Sequence, residues 1–460
     1  MRRGRNLRRV RYLPRVRLAD MLEAFLWLSV AVVIALFLAD SGLADFLSVA
    51  SAFTGIGIIA GLVGTNLLLI QLLLAARLPV IDRAFGHDRA LAAHQKLGKP
   101  IFYLITAHVL LLWIGYALTT HVNVLAEVFV MFNTLPDMKT GYLGYGLMAL
   151  VVITSFVIVR RKFPYETWHA VHLLAYLAVL VALPHQFSTS RLFADGTWAR
   201  YYWLLFYLAV ATALLVYRFL IPLLRTIRLD LRVSTVTAVA PGVYTIRMTG
   251  RDLTTLKARG GQFFVWRFWA RGQWWHAHPF SLSAAPAAHH LQVTVRELGN
   301  GTSRLGGLPV GTRVGIEGPY GLFTDRARTT GRAVAVAAGI GITPIISLLE
   351  HGDFTPGEVT VIVRARDKKS LYLYEELEKL CAEKSARLYV LLGRRPRNGA
   401  DTWLPAREAN HRVALSTIVP DLADADVFIC GPRRWADLVV QDAKGSGVQK
   451  FRIHRETFDW

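Results

Sequence analysis

Cysteine is nearly absent: the 460 residues hold two, Cys381 and Cys430. Two thiols make no disulfide framework and no Cys-rich metal or iron–sulfur site. Acidic residues are scarce as well, 32 against 53 Lys and Arg, for a formal net charge of +21. Charge of either sign is missing from six runs, 24–39, 46–76, 100–126, 140–159, 167–190 and 201–217. In a chain that is 53% hydrophobic, such runs exclude an ordinary soluble protein. A bilayer core of about 30 Å needs about 20 apolar residues as helix. Six membrane-spanning helices are therefore expected, the two shortest runs being marginal in length. No internal repeat or low-complexity segment is present.

The basic residues between the runs orient them, because Lys and Arg accumulate in short cytoplasmic loops. Eight Arg fall in the first 17 residues, five Lys or Arg between Arg77 and Lys99, and Arg160-Arg161-Lys162 follows the fourth run. The loops between are poor in them. The expectation is a multi-pass protein of the plasma (inner) membrane, with the N-terminus cytoplasmic and six crossings returning the chain inside near Arg225. The basic segment 1–20 is suited to anionic membrane lipid, and no fold signal for nucleic-acid binding accompanies it. No small-residue cleavage site follows Leu38, so the first run is expected to be retained.

Beyond residue 228 the texture changes. Val243–Thr249 and Leu291–Arg296 alternate apolar and polar residues, as half-buried strands do, and Gly and Pro turns separate such strands to about residue 325. A small antiparallel barrel is expected there. After Gly331, the apolar strands 333–337, 359–363, 388–392 and 426–430 alternate with segments of helical spacing such as 370–384, the pattern of a parallel α/β sheet. The expected organisation is a basic cytosolic segment 1–20, an all-α transmembrane bundle 21–227, an antiparallel β domain 228–327 and an α/β domain 328–460.

Several of the 14 histidines lie in or beside apolar spans, where ionisable groups are costly and usually functional. His94 and His108, 14 residues apart on the third span, are separated by about 21 Å of helix and share a face to within about 40°. His172 and His185 on the fifth span are 13 apart, about 20 Å. Two helices with imidazoles at two matching depths can hold two stacked bis-imidazole haems. Helix packing explains any single histidine of this set, but explains four at matched depths poorly. The fifth-span pair diverges by about 140° on an ideal helix, which a distortion at Pro184 could correct. His169 competes with His172. His121 would lie about 40 Å from His94 along the helix, beyond the hydrocarbon core.

In the second half, Gly260-Gly-Gln-Phe-Phe-Val-Trp266 followed by His278-Pro-Phe-Ser-Leu-Ser283 resembles the flavin-binding strand of the ferredoxin–NADP reductase superfamily. Leu298-Gly-Asn-Gly-Thr-Ser-Arg304 is similar to its pyrophosphate loop, where glycine lets amides approach an anion. Ala337-Ala-Gly-Ile-Gly-Ile-Thr-Pro344 resembles its nicotinamide-nucleotide turn, a Gly-rich strand-to-helix junction offering amides to a pyrophosphate. Cys430-Gly-Pro432 and the aromatic end of Glu456-Thr-Phe-Asp-Trp460 match further positions. With the six spans, His94-Gln-Lys-Leu-Gly98 and the surroundings of His172, the chain resembles the ferric reductase and NADPH oxidase superfamily in its minimal bacterial form, with no appended EF-hand or regulatory segment.

The resemblance implies FAD, NADPH (or NADH) and two b-type haems. FAD would lie on His278, Pro279, Phe280, Ser281, Leu282 and Ser283, with Gly301 and Thr302 at its pyrophosphate. The nucleotide would take Gly339, Gly341, Thr343 and Pro344, with Arg366 and Arg394 toward a 2′-phosphate and Gly431 and Pro432 near the nicotinamide. Cys430 and Trp460 are implied as catalytic positions, Trp460 covering the flavin until nicotinamide displaces it. His94 with His172 and His108 with His185 would bind the inner and outer haem irons. Electrons are then expected to pass from NAD(P)H through FAD and both haems to an outer acceptor, oxygen slightly preferred over a ferric chelate, with no regulatory subunit. The outer loops 119–140 and 186–200 lack the carboxylate cluster that a hard cation needs, which is the reason for that preference. Two other readings are an electron donor to a quinone or periplasmic protein, and a non-enzymatic haem or nucleotide sensor.

Overall fold

The computed structural model of the chain describes residues 13–41, 46–156, 159, 163, 165–299, 301–396, 401–411 and 413–457. Arg160-Arg161-Lys162, Trp460 and most of the basic N-terminal segment lie outside these residues. The chain divides into two units. One holds Ala19–Ile81 and Asp88–Arg218; the other holds Asp82–His87 and the chain from Phe219 onward, together with the chain up to Leu18.

The helical part runs as α1 (Leu13–Ser41), α2 (Val49–Ala75), α3 (Pro79–Phe85), α4 (His87–Thr120), α5 (Val124–Thr134), α6 (Met138–Ser155), α7 (Tyr165–Thr189) and α8 (Trp198–Ala213), followed by a π-helical stretch Leu214–Leu220 and α9 (Ile221–Leu229). Among the described residues, five segments are long and apolar enough to cross a membrane: Pro14–Asp40, Val49–Ala75, His87–Thr120, Glu166–Thr189 and Trp198–Leu229. The expected span 140–159 falls outside that set. Its helix, α6, is 18 residues long and carries Gly141, Gly144 and Gly146 in its first half, which dilute its apolar character. Glycine serves close packing instead, since a Cβ at Gly144 would come within 2.8 Å of Ala182 Cβ on α7.

Small residues also set the packing of α2 on α4. Gly57, Gly61 and Gly64 recur at the spacing that keeps residues on one helix face. A Cβ at Gly57 would stand 3.1 Å from Leu111 Cβ, and one at Gly64 would stand 3.1 Å from Ile105. On α4, Gly115 answers in kind, with Thr54 Oγ1 only 2.4 Å from where its Cβ would be. Lipid tails are as apolar as leucine, so helices in a bilayer gain by close contact, which a missing side chain permits.

Where a barrel was expected, the chain forms two three-stranded antiparallel sheets, β1-β2-β5 and β4-β3-β6. The strands are β1 (Arg232–Ala240), β2 (Val243–Thr249), β3 (Phe263–Phe268), β4 (His278–Ser281), β5 (His290–Arg296) and β6 (Val314–Tyr320). Single bridges, Arg232 to Arg313 and Leu282 to Val293, join the sheets around a core that includes Ile246, Met248, Phe264, Trp266, Leu282 and Val293.

The α/β part is a five-stranded parallel sheet in the order β11-β10-β7-β8-β9. Its strands are β7 (Ala333–Ala338), β8 (Val359–Ala365), β9 (Arg387–Leu392), β10 (Asp426–Gly431) and β11 (Ile453–Thr457). The four apolar runs become β7 to β10. The edge strand β11 was not anticipated, because its residues alternate between half-buried and buried and Arg455 and Glu456 break any apolar run. Every residue of β7 is buried, since packed clusters cover both faces. The chain proceeds from β7 to β8 and β9 on one side, then crosses to β10 and β11 on the other. The carboxyl ends of β7 and β10 therefore flank the point where strand order reverses, where open α/β sheets bind their ligands.

Candidate functional site

In the helical unit the histidines meet in two pairs. The His94 and His172 rings lie 6.1 Å apart between centroids, with planes at 68°. Metal–imidazole bonds are about 2 Å, so two imidazoles gripping one metal from opposite sides have centroids about 6 Å apart, and this pair fits a haem iron. His108 and His185 are electrostatic neighbours, and α7 runs unbroken through Pro184 to bring His185 there. His169 lies beside Trp168, whose ring stacks on His172 at 5.0 Å. His121 lies directly after α4 with φ +56°.

At His94, His108 and His172, Nδ1 has a partner. His94 Nδ1 lies 3.1 Å from the Gln71 carbonyl and His108 Nδ1 lies 2.9 Å from the Gly57 carbonyl. Gln71 and Gly57 are spaced like His94 and His108, so α2 offers carbonyls at the two levels at which α4 offers imidazoles. The Gln71 side chain closes the inner pair by donating to the His94 carbonyl at 2.9 Å. His172 Nδ1 lies 3.3 Å from Ser155 Oγ. An N–H spent at Nδ1 leaves Nε2 as the ligating atom, the usual arrangement around metal-bound histidine. Gly61 and Gly141 make room, since a Cβ there would reach within 2.4 Å of the His108 ring and 2.9 Å of the His185 ring. The sequence singled out the four histidines but not the residues packed around them, Gln71, Gly57, Gly61, Gly141 and Ser155. The equal spacing of glycines and histidines on neighbouring spans was the available signal.

In the other unit, β4 carries the quoted strand. His278 is buried, its ring stacked on Phe280 at 5.4 Å; burial, with His276 and Arg267 adding to it, lowers its pKa to about 4. Pro279 pairs with Val265. The Phe280 carbonyl accepts from Trp266 Nε1 at 2.9 Å. Leu282 is buried in the core of the two sheets. Ser283 is fully buried and accepts from Gln292 Nε2 at 3.4 Å. Ser281 Oγ donates to Glu456 Oε1 at 3.0 Å, joining β4 to β11. Glu456 was not singled out from the sequence, because its partner lies 175 residues away.

Near His278, Gln273 presents a buried Nε2 with no hydrogen-bond partner among the described residues, while its Oε1 lies 3.3 Å from His278 Nε2. Arg304 Nη1 reaches 2.4 Å from where a Cβ on Gly272 would be, and the Cβ position of Gly301 is 3.7 Å from His278 Cε1. The Thr302 hydroxyl accepts from the Leu298 amide at 2.8 Å. A free amide donor and a guanidinium beside a glycine loop fit a diphosphate such as that of FAD.

At the switch point, Gly339 takes φ +57°, and a Cβ on Gly341 would lie 2.3 Å from the Cys430 carbonyl. Thr343 Oγ1 donates to the Ile340 carbonyl at 2.9 Å, and Pro344 is buried in the first turn of α10 (Ile342–His351). Cys430 pairs with Ala337 on one side and Glu456 on the other; burial and then Glu456 push its thiol well up, so it is neutral. Gly431 lies flush against Trp435, and a Cβ would meet that ring at 2.7 Å. Pro432 precedes the helix Arg433–Gly445. Arg366 and Arg394 are exposed just past the carboxyl ends of β8 and β9. A third arginine, Arg364, is buried at the end of β8 and is close enough to Arg395 for the pair to repel.

Residues 335–441 match the family described as oxidoreductase NAD-binding domain. Residues 60–183 match the family described as ferric reductase like transmembrane component. Among curated relatives, the reductase subunit of glycine betaine monooxygenase from Chromohalobacter salexigens is 25% identical over 188 residues, 39% of this chain and 50% of that protein. A flavohemoprotein of Xylella fastidiosa is 26% identical over 211 residues, 44% of this chain and 51% of that protein. The chain thus spans about half the length of these relatives. The FAD/NAD-binding domain of nitric oxide dioxygenase from Vibrio cholerae O1 biovar El Tor aligns with 50% of this chain and 98% of its own, at 19% identity and a TM-score of 0.40.

The class is therefore a membrane oxidoreductase with a nicotinamide-nucleotide-binding reductase half. A ferric-reductase-like transmembrane component is fused to such a half, the arrangement found in the ferric reductase and NADPH oxidase superfamily.

Proposed function

We propose that the protein carries electrons across the inner membrane from cytoplasmic NADPH, with NADH as the weaker donor, to a one-electron acceptor outside, oxygen in preference to a ferric chelate. Both termini are cytoplasmic in this reading, and a sixth crossing is supplied by α6. The observation that carries it is the two-level arrangement of imidazoles, His94 with His172 and His108 with His185, with the Gln71 and Gly57 carbonyls at His94 and His108 Nδ1 and Ser155 Oγ at His172 Nδ1.

When bound, haem supplies single-electron transfer along the spans and FAD supplies the change from two-electron to one-electron chemistry. The chain's own groups do the rest. The amides of Gly339 to Gly341 and the start of α10 bind the nucleotide pyrophosphate. Arg366 and Arg394 grip a 2′-phosphate through charge-assisted bonds. Ser281 and Glu456 hold a proton on a buried hydrogen bond at the end of the flavin strand, and neutral Cys430 keeps charge away from the place where nicotinamide would stack. Moving an electron outward from a negative interior is favoured by about 2.3 kcal/mol per 100 mV.

Purified protein with NADPH under air should reduce a dye in a superoxide-dismutase-sensitive way, faster than it reduces a ferric chelate without oxygen. Superoxide at the autoxidation background beside rapid anaerobic iron reduction would reverse the choice of acceptor. Slow turnover with both, and fast turnover with a quinone, would favour the donor reading instead.

A further inference from the structure

Helix α10 begins at the nucleotide turn and holds a serine in its apolar interior. Ser347 is fully buried between Ile345, Ile346, Leu348 and Leu349, which are also buried. A mid-helix serine ordinarily turns its hydroxyl back to a carbonyl three or four residues earlier. Ser347 instead donates out of the helix to the Ala284 carbonyl at 2.8 Å and accepts from the Gly261 amide at 3.3 Å. One turn on, Glu350 Oε2 accepts from the Ala285 amide at 2.6 Å. The packing leaves no slack, since a Cβ on Gly260 would stand 1.9 Å from the Ser347 carbonyl oxygen.

These partners sit at both ends of the candidate flavin surface. Gly260 and Gly261 lead into β3, while Ala284 and Ala285 directly follow Ser283. Ser347 is about 7.5 Å along the axis from Ile342 at the helix start. One rigid rod thus has its N-terminus at the pyrophosphate turn and its middle bolted to the flavin strand. A ligand that pulls on the first turn of α10 must act on a helix whose position the flavin surface also fixes.

We propose that Ser347 and Glu350 are positioning residues that couple the two binding events, so that FAD on its strand strengthens nucleotide binding at the turn and nucleotide strengthens FAD binding by the same factor. The proposal rests on reading His278–Ser283 as the flavin strand and Gly339–Pro344 as the nucleotide turn. Binding of 2′,5′-ADP, which has no nicotinamide to touch the flavin, reports the coupling. It is measured by calorimetry on the full-length protein in detergent, in flavin-depleted and FAD-reloaded forms. Wild type should bind 2′,5′-ADP about 5-fold or more tightly when FAD is present, the lower end of ordinary coupling. Ser347→Ala should bring the ratio near one, and Glu350→Ala, at an exposed position, should at least halve it. Glu350→Gln keeps an acceptor for the Ala285 amide and should retain the wild-type ratio.

A wild-type ratio near one, or a Ser347→Ala variant that keeps the full ratio, overturns the proposal. So does an equal loss in Glu350→Ala and Glu350→Gln, which would trace the effect to charge and not to the hydrogen bond. Wild-type protein that fails to bind 2′,5′-ADP or FAD at all sinks the underlying reading of the site, and the coupling with it.

Discussion

Ser281 donates its hydroxyl to Glu456 at 3.0 Å, with both side chains buried, and Glu456 stands in register beside Cys430. The contact joins the last residue of β4 to the edge strand of the α/β sheet, where the flavin and nicotinamide are expected to meet. Acid–base groups placed at a reacting centre contribute about 10²- to 10⁴-fold. Glu456→Gln and Ser281→Ala should each slow flavin reduction by NADPH about 10- to 100-fold in stopped-flow absorbance, with FAD content unchanged. Wild-type rates in both variants would remove the pair from the reaction.

The outer histidine level depends on the absence of a side chain at Gly61, where a Cβ would lie 2.4 Å from His108 Nδ1. Gly→Ala inside a helix is ordinarily stabilising by up to about 1 kcal/mol. Gly61→Ala should nevertheless lower haem content from two per chain to one, as His108→Ala should, when pyridine haemochrome is quantified on purified protein. Two haems with unaltered spectra in both variants would show that His108 is not a ligand.

Nucleotide choice is expected to follow the arginines at the ends of β8 and β9. Arg366→Ala should weaken the specificity constant for NADPH about 10-fold, in line with loss of one charge-assisted contact worth about 1.5 kcal/mol or more, and should leave NADH nearly unchanged. Steady-state kinetics with both nucleotides decide it, and an unaltered preference would place the 2′-phosphate elsewhere.

His278 is buried, and its pKa is lowered to about 4 by burial and then by His276 and Arg267. The unfolded chain would take up this proton near pH 6.5, so stability attached to His278 is complete above that value. It falls as the pH drops toward 4, by at most about 1.4 kcal/mol per pH unit. Thermal release of FAD fluorescence from the full-length protein should occur at lower temperature at pH 5 than at pH 7.5. His278→Asn should flatten that dependence, and an equal pH response in the variant would assign the acid sensitivity to other groups.

Much of the architecture was legible along the chain, for a physical reason. Bilayer and sheet interior impose local rules: long uncharged runs such as 46–76, and four apolar strands each followed by helical spacing, can be read without knowing what they touch. The four histidines were legible too, because an imidazole in an apolar run is costly wherever it points. Their pairing, and the Gln71 and Gly57 carbonyls that hold their second nitrogens, required two helices to be set side by side. Glycines cut from α2 decide how closely that happens. The α6 segment shows the limit of composition, since its uncharged run is partly glycine spent on contact with α7. Glu456 and Ser347 were hidden for the same reason. A carboxylate on an alternating edge strand and a serine in an apolar helix acquire meaning only from Ser281, Gly261 and Ala284, which lie from 63 to 175 residues away in the chain. Periodicity reports which side of an element is dry, whereas a hydrogen bond between distant residues depends on the fold bringing them together.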